Sequence, residues 1–191
     1  CATNIEMVWN FNQGDAKALE GTISADGILS YATASLGSDL EFLGTFKVGS
    51  LTVTKIQPKV VASSNGEANA ISFSLKTKKG LSLLGKSFSF DACKVGTNGG
   101  NLDVVAEVSG KSYELLTAQS PQNANIDPYF THYTADLSKI PATGDELVIK
   151  VFIKKVAVNK QYGFANFAIT ASTEGEVEQV NSYQLSATLA N

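Results

Sequence analysis

Apolar side chains recur at every second position through most of this chain. Ile5, Met7, Trp9 and Phe11 alternate with Glu6, Val8 and Asn10, and Ile71, Phe73 and Leu75 alternate with Ser72, Ser74 and Lys76. Phe88 and Phe90 stand against Ser87, Ser89 and Asp91; Leu102, Val104, Ala106 and Val108 form another such series, as do Leu147, Ile149, Val151 and Ile153. A period of two is that of an extended strand with one face on a core. Further runs near 21–25, 28–34, 40–48, 51–56, 111–117, 129–135, 164–172 and 180–189 bring the total to about a dozen short strands. Between them stand Asp26-Gly27, Asn65-Gly66, Asn98-Gly99-Gly100, Ser109-Gly110 and Thr143-Gly144-Asp145, residue pairs that supply the positive φ of tight turns. No 3.6-residue amphipathic pattern lasts beyond two turns; Asp15–Leu19 and Asp136–Ile140 are each long enough for a single helical turn. The pattern predicts an all-β protein with very little helix, an antiparallel β-sandwich of the jelly-roll kind, with a β-barrel as the other way to close such strands.

Composition narrows the function classes. A chain of 191 residues with 43% apolar and 17% charged residues has enough core for one domain, and it contains no apolar run long enough to span a bilayer as a helix. All fifteen cations are lysines, and the net charge is -3. Without arginine or a clustered basic field, nucleic-acid binding is not expected. The pairs Lys78-Lys79 and Lys154-Lys155 read as solvated strand ends. Residues 1–4 read as an N-terminal tether and 5–171 as the sandwich. Residues 172–191, in which Tyr183, Leu185, Ala187 and Leu189 resume the alternation, read as a last strand or the start of a truncated following domain.

Catalytic groups are scarce. The sequence has one histidine, His132, and two cysteines, Cys1 and Cys93. These cannot supply a zinc site at ligand spacing, no nucleophile elbow or phosphate loop occurs, and Cys93 follows an alternating stretch as a small core residue would. The carboxylates lie mostly beside glycines or at strand ends. No catalytic residue, metal ligand or cofactor is expected; a structural calcium held by Asp26, Asp91 or Asp136 with loop carbonyls is the alternative, because calcium takes oxygen ligands in flexible geometry. Cys1 would carry a lipid if it is a processed lipoprotein terminus.

The longest irregular connection runs over 117–128, and long loops on a rigid β scaffold are where binding sits. Tyr129, His132 and Tyr133 follow it directly. A tyrosine offers a flat apolar face with a polar edge, and Gln122, Asn123 and Asn125 of the loop supply amides that match hydroxyl-rich ligands. Tyr162, beside Lys160 in a second polar turn, completes the expected ligand-binding set. The competing reading has the tyrosines cap the core with their hydroxyls in water.

Three stretches carry a resemblance. Val8-Trp9-Asn10-Phe11, the run from Phe88 to Gly100, and Leu147–Ile153 followed by Gly163–Ile169 resemble the β-sandwich accessory domains of surface glycan-degrading systems in Gram-negative bacteria. Such domains accompany pectate-lyase-like units and are similar to galactose-binding-like carbohydrate-binding modules. Tyr183–Thr188 resembles the first strand of the small β repeats that follow them. Pro121 is followed here by Gln122 where the relatives tend to carry arginine, which puts an anionic-sugar contact at that point in doubt. The resemblance implies a non-catalytic carbohydrate-binding module of a surface-anchored lipoprotein or secreted bacterial protein engaged in polysaccharide utilisation. The other expectation is a structural or adhesive lipoprotein subunit docking on an outer-membrane complex. The expected partner is accordingly a glycan or a surface-complex protein, with no nucleic acid, and a membrane only through a lipid on Cys1.

Overall fold

The computed structural model describes residues 2–24, 27–140 and 144–178. Its strands are β1 (Thr3–Trp9), β2 (Thr22–Ile23), β3 (Leu29–Leu36), β4 (Leu40–Val48), β5 (Leu51–Pro58), β6 (Ala70–Thr77), β7 (Leu81–Val95), β8 (Asn101–Val108), β9 (Lys111–Gln119), β10 (Thr131–Asp136), β11 (Glu146–Lys154) and β12 (Gln161–Gly175). Helix is confined to two 3-10 turns, Ala16–Leu19 and Glu67–Asn69. The Asp15 carboxylate caps the first by accepting from the Lys17 N–H at 2.9 Å.

Two antiparallel sheets face each other, so the chain is an all-β sandwich. One has the order β10-β7-β12-β1-β2, with β5 joined to β12 and β4 to β5; the other has the order β3-β6-β11-β8-β9. The alternation read from the sequence places one side chain in two between them. Trp9, Phe11, Phe73, Phe88, Phe90, Phe164 and Phe167 are fully buried. The Phe167 ring lies 4.7 Å from Phe73, 5.0 Å from Phe11 and 5.3 Å from Phe90, centroid to centroid. Each such ring contributes about 1.5–3 kcal/mol by leaving water.

Strand limits differ from the sequence reading where pairing extends beyond the apolar run. Thr3 and Asn4, read as tether, pair with Thr173 and Ser172 of β12, and β12 itself continues to Gly175, past the expected boundary at 171. β9 continues to Gln119, which shortens the long connection to 120–130. Cys1, Asp26, Thr143 and the alternating segment 180–189 lie outside the described residues.

The two outer faces are finished differently. On the β3-β6-β11-β8-β9 sheet, Lys150 is paired with Glu67 and, at 2.9 Å, with Glu107. On the same sheet Asp103 accepts from Lys154 Nζ at 2.6 Å, the Ala118 N–H at 2.7 Å and Asn65 Nδ2 at 3.1 Å. Lys154 is therefore held rather than free at a strand end. Among the described residues the other outer face carries no such set of lysine–carboxylate pairs, and the candidate site lies there.

Candidate functional site

The outer face of the sheet containing β7 is half roofed. β5 pairs with β12 only from Tyr162 to Phe164, while the β4–β5 hairpin carries Val48 and Val53 onto Cys93, Ala124 and Ala165. These residues form a second, smaller apolar cluster, flanked by Phe46, Leu51, Val95 and Phe130. Gly163 lies beneath it without a side chain for a steric reason: a Cβ there would come within 2.6 Å of Val53 Cγ2 and 2.8 Å of Cys93 Sγ. Burial pushes the Cys93 thiol up to about 11, although a backbone hydrogen bond from Gly163 pulls the other way.

Loop 120–130 seals the edge of this roof. Its backbone is laced to β7 by Lys94 N to Gln122 O at 3.0 Å and Ala124 N to Lys94 O at 2.8 Å. The Asn123 side chain donates to Gly96 O at 3.0 Å and accepts from the Asn125 N–H at 2.8 Å; the Gln122 amide donates to Ile126 O at 3.1 Å. Gln122 and Asn123, expected to face a ligand, thus hold the loop in shape. Asp127-Pro128 is a cis peptide, and Tyr129 follows with φ 75 and 40% exposure, its ring beside Gly49 of the β4–β5 turn.

Below the roof the face is bare among the described residues, and the register sets its residues out in rows that cross the strands. His132 on β10 stands opposite Asp91 on β7, with Asn166 of β12 next to it. The following row is Thr134, Ser89, Ala168 and Val8, and the one after it Asp136, Ser87, Thr170 and Glu6. All of these are exposed or half-buried except Asp91. At ordinary strand spacing a row spans about 14 Å from β10 to β1, and rows lie about 7 Å apart. Ser87 Oγ and Thr170 Oγ1 are hydrogen-bonded to each other, and Lys86 Nζ reaches Asn4 Oδ1 at 2.7 Å.

The upper row is fixed by a β-bulge. Between Ala165 and Ala168 the β12 register shifts, so Ala165 and Asn166 both turn to the outer face while Phe167 enters the core. Asn166 takes φ 56, a left-handed conformation that asparagine tolerates better than most residues, and its N–H bonds to Asn10 O at 2.9 Å. From there Asn166 Nδ2 donates to Asp91 Oδ2 at 2.9 Å, and Asp91 Oδ1 lies 2.6 Å from His132 Nδ1.

Of the eight residues expected to bind a ligand, Asn125, Tyr129 and His132 are exposed along this rim. Tyr133 and Tyr162 are not. The alternation of β10 and β12 turns both rings inward, where Tyr133 stacks 5.2 Å from Phe90 and Tyr162 lies 5.9 Å from Phe164 with no exposure at all. Burial raises the pKa of both phenols. Lys160 sits in the separate loop before β12, its N–H closing a turn on Ala157 O at 3.0 Å. Asp91 and Asp136, named as calcium ligands, are engaged with His132 and Asn166 and with the Ser138 N–H respectively. Among the described residues no group of three or more His, Cys, Asp and Glu is placed to hold a metal ion.

Sequence reasoning missed Ser87, Ser89, Asp91, Thr134, Asn166, Ala168 and Thr170 as a surface. Their signal was the polar half of the alternation, but nothing local to a strand says which outer face stays open. Two hollows, of about 340 and 320 Å³, lie elsewhere: the first beside Leu81 and Thr173, the second between Tyr113 and Ile140, reaching the bare face only at Asp136.

Neither a family model nor a curated protein sequence matches the chain. Solved structures similar to it include the CBM22-1 xylan-binding domain from Paenibacillus barcinonensis Xyn10C, at 12% identity over 91% of this chain and 94% of that one, TM-score 0.42. TmCBM61 in complex with β-1,4-galactotriose is similar at 11% identity over 78% and 92%, TM-score 0.40, and a cyclase from Fischerella sp. TAU at 11% over 92% and 86%, TM-score 0.36. Binding modules and an enzyme stand side by side in this set, so the likeness assigns this chain neither a ligand nor a residue role.

Proposed function

We propose that this domain is a non-catalytic carbohydrate-binding module that takes a glycan across the bare half of the β10-β7-β12-β1 face. The observation that carries the reading is the pair of rows in which Thr134, Ser89, Ala168 and Val8 lie above Ser87 and Thr170, with carboxylates only at the two ends of the lower row, below the exposed His132 and the roof that bears the exposed Tyr129 ring. Small side chains there leave room for a ligand, and alternating serine, threonine and alanine match the mixed polar and apolar surface of a sugar. The groups present favour binding over bond breaking: the Cys93 thiol is sealed under Val53 and Phe130, and His132 is paired with Asp91 rather than with a nucleophile. A surface or secreted location belongs to the same proposal, since polysaccharides are met outside the cell. Calorimetry and glycan arrays on the domain test it. The expected result is binding to at least one polysaccharide class that weakens about tenfold in Tyr129→Ala; flat responses across plant, yeast and host glycans would overturn it.

The second reading, an adhesive or structural subunit, is favoured by a different observation. Val60, Val61 and Val158 are 55%, 54% and 49% exposed on neighbouring loops joined by the Lys155 N to Ala62 O hydrogen bond. Val61→Asp would then abolish assembly with a partner protein while leaving any glycan response intact.

A further inference from the structure

We infer that His132 Nε2 is a fixed hydroxyl-accepting contact on this face, and that the glycan it serves is uncharged rather than built of uronic acids. The inference rests on the carbohydrate-binding reading and adds an atom and a ligand class to it. A carboxylate only accepts hydrogen bonds, so the 2.6 Å contact between Asp91 Oδ1 and His132 Nδ1 places the proton on Nδ1. Asp91 cannot turn away, because its side chain is only 10% exposed and its other oxygen is held by Asn166 Nδ2. In the neutral ring the lone pair is therefore on Nε2, the ring nitrogen not engaged by Asp91, and the imidazole is 56% exposed.

The charges around it define the ligand. β1 contributes Glu6, β10 contributes Asp136 with Lys139 close enough to act on its charge, β7 contributes Asp91 and Lys86, and β12 contributes hydroxyl and amide groups and, near its end, the exposed Glu174. Lys86 is bound to Asn4, and the chain contains no arginine to clamp a carboxylate in two-pronged fashion. The exposed carboxylates and Nε2 accept; the serine and threonine hydroxyls do either. A ligand made of hydroxyl donors satisfies this set, whereas a string of uronate carboxylates meets like charge at Glu6 and Asp136.

His132 is the sole histidine of the sequence, so the imidazole ¹⁵N spectrum of the labelled domain contains one ring. In its neutral form that ring is expected to show the Nδ1–H tautomer. Titration with β-1,4-galactotriose, mannohexaose, xylohexaose and an oligogalacturonate should give at least one neutral sugar that moves the Nε2 resonance, with the oligogalacturonate moving nothing. His132→Gln, which keeps a carbonyl oxygen near the Nε2 position, should bind that sugar several-fold more tightly than His132→Ala. An Nε2–H tautomer, a bound neutral sugar that leaves Nε2 unmoved, or tight oligogalacturonate binding would overturn the inference while leaving the carbohydrate reading in place. Absence of any backbone shift with all four sugars would remove both.

Discussion

Cys93 and Asn166 show how much of this face is decided by single side chains. Cys93 lies two positions beyond Asp91 on the same side of β7, yet the β4–β5 hairpin and Phe130 close over it. Its thiol, ordinarily at 9.0 and here about 11, stays protonated in the fold across the neutral range. Disulfide-exchange reagents should consequently label Cys93, read separately from Cys1 by peptide mass, at the rate of the domain's opening, and that labelling rate should rise with denaturant. The sign for stability follows: between pH 9 and 11 the unfolded thiol ionises and the folded one does not, so stability is intact below 9 and falls as pH rises through that window, by on the order of 2 kcal/mol. Cys93→Ala should remove that part of the alkaline slope in pH-dependent denaturant unfolding. For Asn166, the left-handed backbone decides which replacements fold. Asn166→Gly should keep the melting temperature nearly unchanged while releasing Asp91, whereas Asn166→Val should lose about 1–3 kcal/mol.

At the scale of elements, the alternation of Phe88 and Phe90 with Ser87, Ser89 and Asp91 already specifies a strand, its inner side and its outer side. What alternation cannot express is a break in itself. The β12 bulge sends Ala165 and Asn166 outward together, and without that extra residue the amide that holds Asp91 would not lie beside it. Tyr133 and Tyr162 show the converse: both adjoin polar loops, but the parity of their own strands turns their rings into the core. On the opposite sheet Asp103 fastens a comparable irregularity, where β8 and β9 shift register and Ala118 adopts φ 50. Burial pushes the Asp103 carboxyl up, but Lys154, the Ala118 N–H and Asn65 outweigh it and hold the group below its ordinary value of 3.8. That contribution is complete above the ordinary carboxylate range and is lost as pH falls below 3.8 toward the lowered folded value. Asp103→Asn should therefore be less stable than the parent at neutral pH, with the difference shrinking in acid, as read by urea midpoints across a pH series.

For the whole molecule, the contrast between the two outer faces separates what the fold requires from what a ligand would use. The β3-β6-β11-β8-β9 face carries two ion-paired groups, Lys150 with Glu67 and Glu107 and Lys154 with Asp103, so its surface is engaged in the protein's own structure. The other face gives its upper half to the hairpin and loop 120–130 and leaves its lower half uncovered among the described residues, with serine, threonine and alanine between Asp136 and Glu6. A half-buried Ala168 between Ser89 and Val8 supports neither the core nor the roof. Ala168→Tyr should then fold with a melting temperature within a few degrees of the parent, because it adds bulk to an open surface, and should block glycan binding by at least about tenfold. Ser74→Tyr, the equivalent intrusion on the opposite outer face beside Val148, should leave binding unchanged. Calorimetry on the two variants with one oligosaccharide decides the location: binding that survives Ala168→Tyr would move the site off the sheet, to the loops at the end of the sandwich.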